Sequence, residues 1–350
     1  MHTHRLTRLM LAATLAAVML GSPLMPAHAQ DSVCKLNAKE LRQNGRLKKT
    51  DKLKKIDLLA DMDIHHQSGA VFGKYLFMVG VRMTKVTLYD LKKKQVIATY
   101  KPRPHNDTST MGTTLRTNEK GMLLGSEIYH CNQSSFGNER FDKDDPFPLL
   151  YISQRNMTGT RRGLLTVYRI LPTLENGEIK AFTMEHVQSI YFPGMTDENA
   201  LGTPNVAIDQ VNGTMYAYSR NNNNQCVNYQ WAAIAKFKLP PLRNSKGNVV
   251  TAVTLNESDI LETTYMDWAM VWAQGGFVQD GRLIIFQGFP HKDPRFNHIY
   301  LRVFDLEKRR QTHMYDLVDY GFHHEPEAAF FYKGRICTAT NGKGIYSFKF

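Results

Sequence analysis

A hairpin recurs along this chain, in which a strand of small residues runs into a turn glycine and an apolar strand leaves it. Gln67 to Val79 (QSGAVFGKYLFMV), Asn205 to Tyr218 (NVAIDQVNGTMYAY), Gln274 to Phe286 (QGGFVQDGRLIIF) and Glu327 to Thr338 (EAAFFYKGRICT) align on their turn glycines, Gly73, Gly213, Gly281 and Gly334. After two of them a third strand ends in aromatic-Asp-Leu, at Tyr89-Asp90-Leu91 and Phe304-Asp305-Leu306, and a charged turn follows. One such meander cannot bury both of its faces. Radial repetition buries them and leaves only short, protected edges, which is the β-propeller solution.

The aligned glycines lie 140, 68 and 53 residues apart. The first interval has room for one more unit, placed at His130 to Ser153, where HCNQSSFG precedes the apolar strand FPLLYIS. The pattern therefore predicts an all-β chain, a single β-propeller of five blades, with six as the alternative if residues 105 to 128 form a unit. Short runs rich in Val, Ile, Tyr, Phe and Thr, such as Lys85 to Leu91, Leu164 to Ile170, Tyr300 to Leu306 and Gly344 to Phe350, support strands throughout. The last unit has three evident strands. Lys55 to Met62 (KIDLLADM) supplies a fourth, so both ends of the domain are expected in one blade.

The N-terminus reads as a targeting signal: Arg5 and Arg8 precede the apolar stretch Leu9 to Leu20, and Ala27-His28-Ala29 is a small-x-small cleavage site. Three segments result, a signal peptide (1–29), a basic leader (30–55) and the propeller (56–350). The expected location is secreted or periplasmic. Cys34 lies five residues beyond Ala29, which argues against lipoprotein processing. No segment approaches the roughly 20 apolar residues of a transmembrane helix.

Formal net charge is +12, and about +10 without Arg5 and Arg8. Nine basic side chains fall between Lys35 and Lys55 against Glu40 and Asp51. Asn37 can cap a short helix ending at Gly45, and the segment reads as a solvated basic arm rather than an anion-binding patch. Export and the clustering of charge in leader and turns argue against nucleic acid as partner. In an oxidising compartment the four cysteines, none in C-x-x-C spacing, favour two structural disulfides. Of the three possible connectivities, closure of the ring makes Cys34 with Cys337 the expected first pair, leaving Cys131 with Cys226.

The chain resembles a group of uncharacterised secreted bacterial β-propeller proteins. The likeness rests on H-x-N-x-x-S-F-G at His130 to Gly137, F-P-L-L-Y at Phe147 to Tyr151, and E-P-E at Glu325 to Glu327, and it spans about residues 60 to 350. It implies fold and export and brings no activity with it. Glu325-Pro326-Glu327 also resembles the opening of a first strand in lactonase-like calcium propellers.

In a propeller the innermost strands line a central channel, and the residues that open them converge on one mouth. Here these are His65, His66 and Gln67, then His130 and Asn132, then Asn205, then Gln274, then His323, His324, Glu325 and Glu327. Convergent imidazole, amide and carboxylate groups suit a small-molecule site, and two histidines with a carboxylate would suit a divalent metal such as zinc. Alternation along a strand lets only one histidine of each pair face the channel. Trp272, with Trp268 and Trp231, offers stacking surface for sugars. Asp142 to Asp145 lacks the glycine and glutamate of a calcium loop and reads as an acidic surface loop. Nucleophile-elbow, zincin, phosphate-loop and dinucleotide motifs are absent. The leading expectation is a module that binds a small molecule, glycan or envelope protein at the mouth. The alternatives are a metal-assisted hydrolase, lactonase or lyase using Glu327 with a histidine, and a structural envelope component.

Overall fold

A computed structural model describes residues 35–47, 49–81, 83, 85–101, 131–154, 162–194, 204–220, 232–266 and 272–350. The described strands form five sheets. The first blade is β2 (Ser68–Phe72), β3 (Tyr75–Val79), β4 (Val86–Asp90) and β5 (Gln95–Tyr100). The second is β6 (Cys131–Phe136), β7 (Leu150–Gln154), β8 (Arg162–Glu175) and β9 (Glu178–Gly194). The third is β10 (Asn205–Asp209), β11 (Thr214–Arg220), β12 (Ala232–Lys238) and β14 (Ile260–Met266). Between them in sequence, β13 (Ala252–Thr254) returns to the second blade as a fifth strand, parallel to β9. The fourth blade is β15 (Ala273–Gln279), β16 (Arg282–Gln287), β17 (Tyr300–Asp305) and β18 (Arg310–Asp316).

The fifth blade closes the ring. It holds β19 (Pro326–Tyr332), β20 (Arg335–Thr340) and β21 (Gly344–Lys349), and its outermost strand is β1 (Lys55–Ala60), antiparallel to β21. The N-terminal strand thus sits in the last blade, as closure requires. The inner strands β2, β6, β10, β15 and β19 pack in that order, and β19 packs back on β2. Residues 105–128, the possible sixth unit, lie outside the described residues.

Local chemistry explains the repeat. In the turns at Asp280-Gly281 and Lys333-Gly334 both residues have positive φ, the two-residue geometry that matches strand twist. The aspartate of the aromatic-Asp-Leu motif caps the next turn: Asp90 accepts from the backbone N–H of Lys92 at 2.7 Å and of Lys93 at 2.8 Å, and Asp305 accepts from Lys308 N–H at 2.9 Å. Small residues line the axis because five backbones converge there. A Cβ on Gly275 would come within 2.5 Å of Ala329 N.

The core lies between blades rather than within one. Phe77 meets Phe136, Phe147 and Phe182 at centroid distances of 5.7, 5.1 and 5.5 Å, joining the first two blades. Equivalent layers of buried apolar side chains fill the other four seams.

The basic leader is no solvated arm. Helix α1 (Ala38–Leu41) begins at Asn37 with a reciprocal capping box to Glu40. Leu36 N–H donates to Asn138 O, Gly334 N–H to Asn44 O, and Leu47 N–H to Asp280 Oδ2, so the segment crosses three blades. Leu36, Thr50 and Leu53 are buried, while the described lysines and arginines of the segment project into solvent. The acidic loop also has structural work. Arg169 binds Asp142 at 2.6 Å and Asp145 at 2.7 Å, and Arg140 Nε donates to Asp145 O at 2.7 Å, which buries Asp145.

Candidate functional site

Each inner strand starts at one end of the channel, and at that mouth three of the five carry a β-bulge. The breaks in register fall between Cys131 and Gln133 in β6, between Ala273 and Gly276 in β15, and between Pro326 and Ala328 in β19. A bulge re-aims side chains that strict alternation would send elsewhere. Gln274 and Glu327 lie within two of these breaks, while Gln67 and Asn205 open strands without one.

Gln67, just before β2, donates through Nε2 to Glu327 Oε2 at 2.6 Å. Gln274 donates to Glu325 Oε1 at 3.0 Å. Asn205 Nδ2 donates to the carbonyls of Ala273 and Gln274 at 3.1 and 3.2 Å. Glu327 is buried, and burial together with the neighbouring Glu325 pushes its carboxyl well above the usual range. Burial also raises Glu325, against the opposing pull of Gln274. The mouth is therefore a ring of amides facing two carboxyls whose proton affinity burial raises.

Below this ring the channel is crossed. Gln133, from the second blade, reaches across to the fourth: its Nε2 donates to Gly276 O, and Gly276 N–H donates to its Oε1 at 2.9 Å. Beside it Ser68 Oγ lies 2.6 Å from Ser134 Oγ and 2.7 Å from Cys131 Sγ. At the far end a cavity of about 80 Å³ is lined by Phe72, Phe136, Phe277 and Phe331 among others, and by Glu40, Leu41, Gln43 and Asn44 of the leader. Among the described residues Gln133 floors the mouth and separates this polar cup from the far end of the channel.

Of the expected site residues, Gln67, Asn205, Gln274, Glu325 and Glu327 meet at the mouth, and Asn132 is half-buried beside them at the β6 bulge. Among the described residues the expected histidines do not join them. His66 is buried with Nδ1 2.9 Å from Ile64 O, and burial lowers its pKa. His65 is exposed with Nδ1 2.8 Å from Asn341 Oδ1, His323 is exposed, and His324 packs on Phe322 and Tyr346 at 5.6 and 5.2 Å. Each pair sits where the chain approaches its inner strand, before the bulges act. Among the described residues no three His, Cys, Asp or Glu side chains cluster to hold a metal ion. Trp272, half-exposed, stands one residue before β15 with its ring 4.7 Å from that of Phe289. His130, Trp231 and Trp268 lie outside the described residues.

Cys131 and Cys337 are buried free thiols. Burial pushes Cys131 up to about 12 and Cys337 higher still. Their expected partners, Cys226 and Cys34, lie outside the described residues. Sequence reasoning missed Gln133, Ser68, Ser134 and the thiol of Cys131 as channel residues. The signal available was the H-x-N-x-x-S-F-G segment itself, whose polar residues occupy an innermost strand.

No known family model and no curated protein matches the sequence. Solved structures with similar folds include a glutaminyl cyclase from Myxococcus xanthus, at 8% identity and TM-score 0.42, covering 85% of this chain and 95% of that one. The Cps50 (Swd1) β-propeller domain of Myceliophteria thermophila is similar at 9% identity and TM-score 0.37, with 81% and 82% covered. A chain of a nidogen/laminin complex shows 8% identity and TM-score 0.33; 72% of this chain is covered but only 64% of that one. The five-blade architecture rests on the strand pairing itself. Among the described residues no helix is long and apolar enough to cross a membrane.

Proposed function

We propose that this chain is an exported binding module that takes a small neutral, hydroxyl-rich ligand, such as the terminus of a glycan, in the polar cup at the channel mouth. The observation that carries the reading is the pairing of Gln67 with Glu327 and of Gln274 with Glu325 around one axis. Amides donate and accept, and carboxyls held toward their protonated form can do the same, which is what hydroxyl groups require. Trp272 at the same end supplies an exposed aromatic face for a sugar ring. The closed floor favours a short group entering end-on.

A second reading has one specific support. Burial and the neighbouring Glu325 raise the proton affinity of Glu327, and burial raises that of Glu325, an arrangement that suits one carboxyl to give a proton and the other to take one. On this reading the chain is a hydrolase or lyase acting at the same cup.

A glycan array followed by calorimetry tests both. The binding reading expects recognition that Gln274→Ala and Trp272→Ala each weaken by tenfold or more, with the ligand recovered unchanged. Binding that survives both substitutions overturns it. Turnover of the bound glycan, lost in Glu327→Gln, would establish the enzyme instead.

A further inference from the structure

The seam between the fifth and first blades opens outward into a second cavity, of about 420 Å³, remote from the channel mouth. That volume lies within the roughly 300–1,000 Å³ of small-molecule sites. Its floor is apolar and aromatic: Tyr89 and Leu91 come from the first blade and Tyr332 from the fifth, continuous with the core layer between them, and Leu59 of β1 forms an outer wall. Its rim is cationic, with Lys92 and Lys94 on one side and Lys333 and Arg335 on the other.

The charges are held open by turn geometry. Lys94 and Lys333 occupy left-handed turn positions, at φ 56° and 47°. Lys333 Nζ lies 5.3 Å over the ring of Tyr332, directly above the floor. Among the described residues Lys92, Lys94 and Lys333 pair with no carboxylate. Of the nearby acids only Asp57 reaches the rim, holding Arg335 at 3.7 Å as well as Lys55 at 2.6 Å; Asp90 is buried against Lys74 at 2.8 Å, and Glu178 holds Lys93 at 2.5 Å.

We propose that this cavity is a binding site for a monomeric anionic amphiphile, a carboxylate or phosphate head on a medium-length apolar body. The body lies between Tyr89 and Tyr332, which removes apolar surface from water. The head meets the lysine rim, where converging charges raise the local concentration of anions. Neutral and cationic amphiphiles of the same length gain only the first term.

Calorimetry of the full chain with decanoate, kept below its aggregation threshold, tests the site. Decyltrimethylammonium serves as the charge-reversed probe, and vesicles of anionic phospholipid as the membrane arm. Decanoate is expected to bind once per chain, at least tenfold more tightly than the cation. Lys92→Glu/Lys333→Glu is expected to weaken it tenfold or more with an unchanged melting curve, and Lys94→Glu/Arg335→Glu to do the same. Equal binding of the two probes overturns the proposal. So does decanoate binding untouched by both charge reversals, or association with vesicles alone.

Discussion

Gln67 and Glu327 are 260 residues apart in sequence, yet an amide-to-carboxyl hydrogen bond of 2.6 Å joins them across the seam where the ring closes. The buried Glu327 carboxyl makes this bond while held toward its neutral form. Removing it in Glu327→Ala strands the Gln67 donor and opens space, at a cost of about 1–3 kcal/mol. Glu327→Gln keeps an acceptor and is expected to cost under about 1 kcal/mol. Urea unfolding of both variants at pH 5 measures the difference.

The same carboxyl predicts how stability depends on pH. Its folded pKa lies above the unfolded value of about 4.3, so the folded chain holds the extra proton. The contribution is complete below the unfolded value and is lost as pH rises through the folded one. Urea midpoints taken from pH 4 to pH 8 should fall in the wild type and fall less in Glu327→Gln, whose amide does not titrate. A wild-type profile that Glu327→Gln reproduces would show that the carboxyl is ionised throughout.

Gly276 is where the channel is crossed. Its N–H and carbonyl both bond to Gln133, and a Cβ at this position would lie 2.2 Å from Tyr218 Oη and 3.0 Å from Ile284 O. Tyr218 is fully buried and cannot swing away. Gly276→Ala is therefore expected to cost about 1–3 kcal/mol through overpacking. Gln133→Ala should cost a similar amount by a different route, leaving the Gly276 N–H and carbonyl unpaired. Thermal melts of the two single variants and the double would show non-additivity, since the two residues are in direct contact and share one bridge.

The buried thiols give a chemical prediction. Cys131, pushed up to about 12 by burial, and Cys337, pushed further, should resist alkylation by iodoacetamide up to pH 9 in the folded protein and react at once in urea. Mass spectrometry of tryptic peptides reads the labelling. Labelling of Cys131 at neutral pH in the folded state would mean that the axis opens beside Ser68 and Ser134.

How far the sequence reaches is visible at the same residues. The blades were legible because turn glycines at Gly73, Gly213, Gly281 and Gly334 mark a local, repeated geometry, and the closing strand β1 followed from counting strands in the last unit. The mouth was legible in part: amides and carboxyls that open inner strands do meet. Gln133 escaped because alternation assigns faces by parity, and the bulge between Cys131 and Gln133 breaks that parity. The histidine pairs misled for the opposite reason. They fall just outside the regular strands, where no pairing register dictates direction: His66 turns to the Ile64 carbonyl, His65 to the Asn341 side chain and His324 to aromatic rings. Nothing local in β13 marks it as a strand of the second blade; only the tertiary fold brings Ala252 beside Ser189.

The leader carries the last prediction. A run of basic residues reads as solvated, because charge density is visible in sequence and backbone pairing is not. Glu40 receives Arg140 through both oxygens, at 2.5 and 3.3 Å, and the Arg140 side chain is only 11% exposed. This pair pins α1 over the phenylalanine-lined cavity at the end of the channel opposite the cup. Arg140→Ala should cost more than an exposed ion pair, about 1–3 kcal/mol, because it also strands the Asp145 carbonyl that Arg140 Nε serves. Deleting residues 35–47 should go further, uncovering Phe72, Phe136, Phe277 and Phe331 at the bottom of the channel. The truncated chain is expected to bind an apolar fluorescent dye in its folded state and to melt several degrees lower, while Gln274-dependent ligand binding at the cup persists, since the Gln133–Gly276 bridge still separates the two ends. Loss of cup binding on truncation would show instead that the leader holds the five inner strands in register.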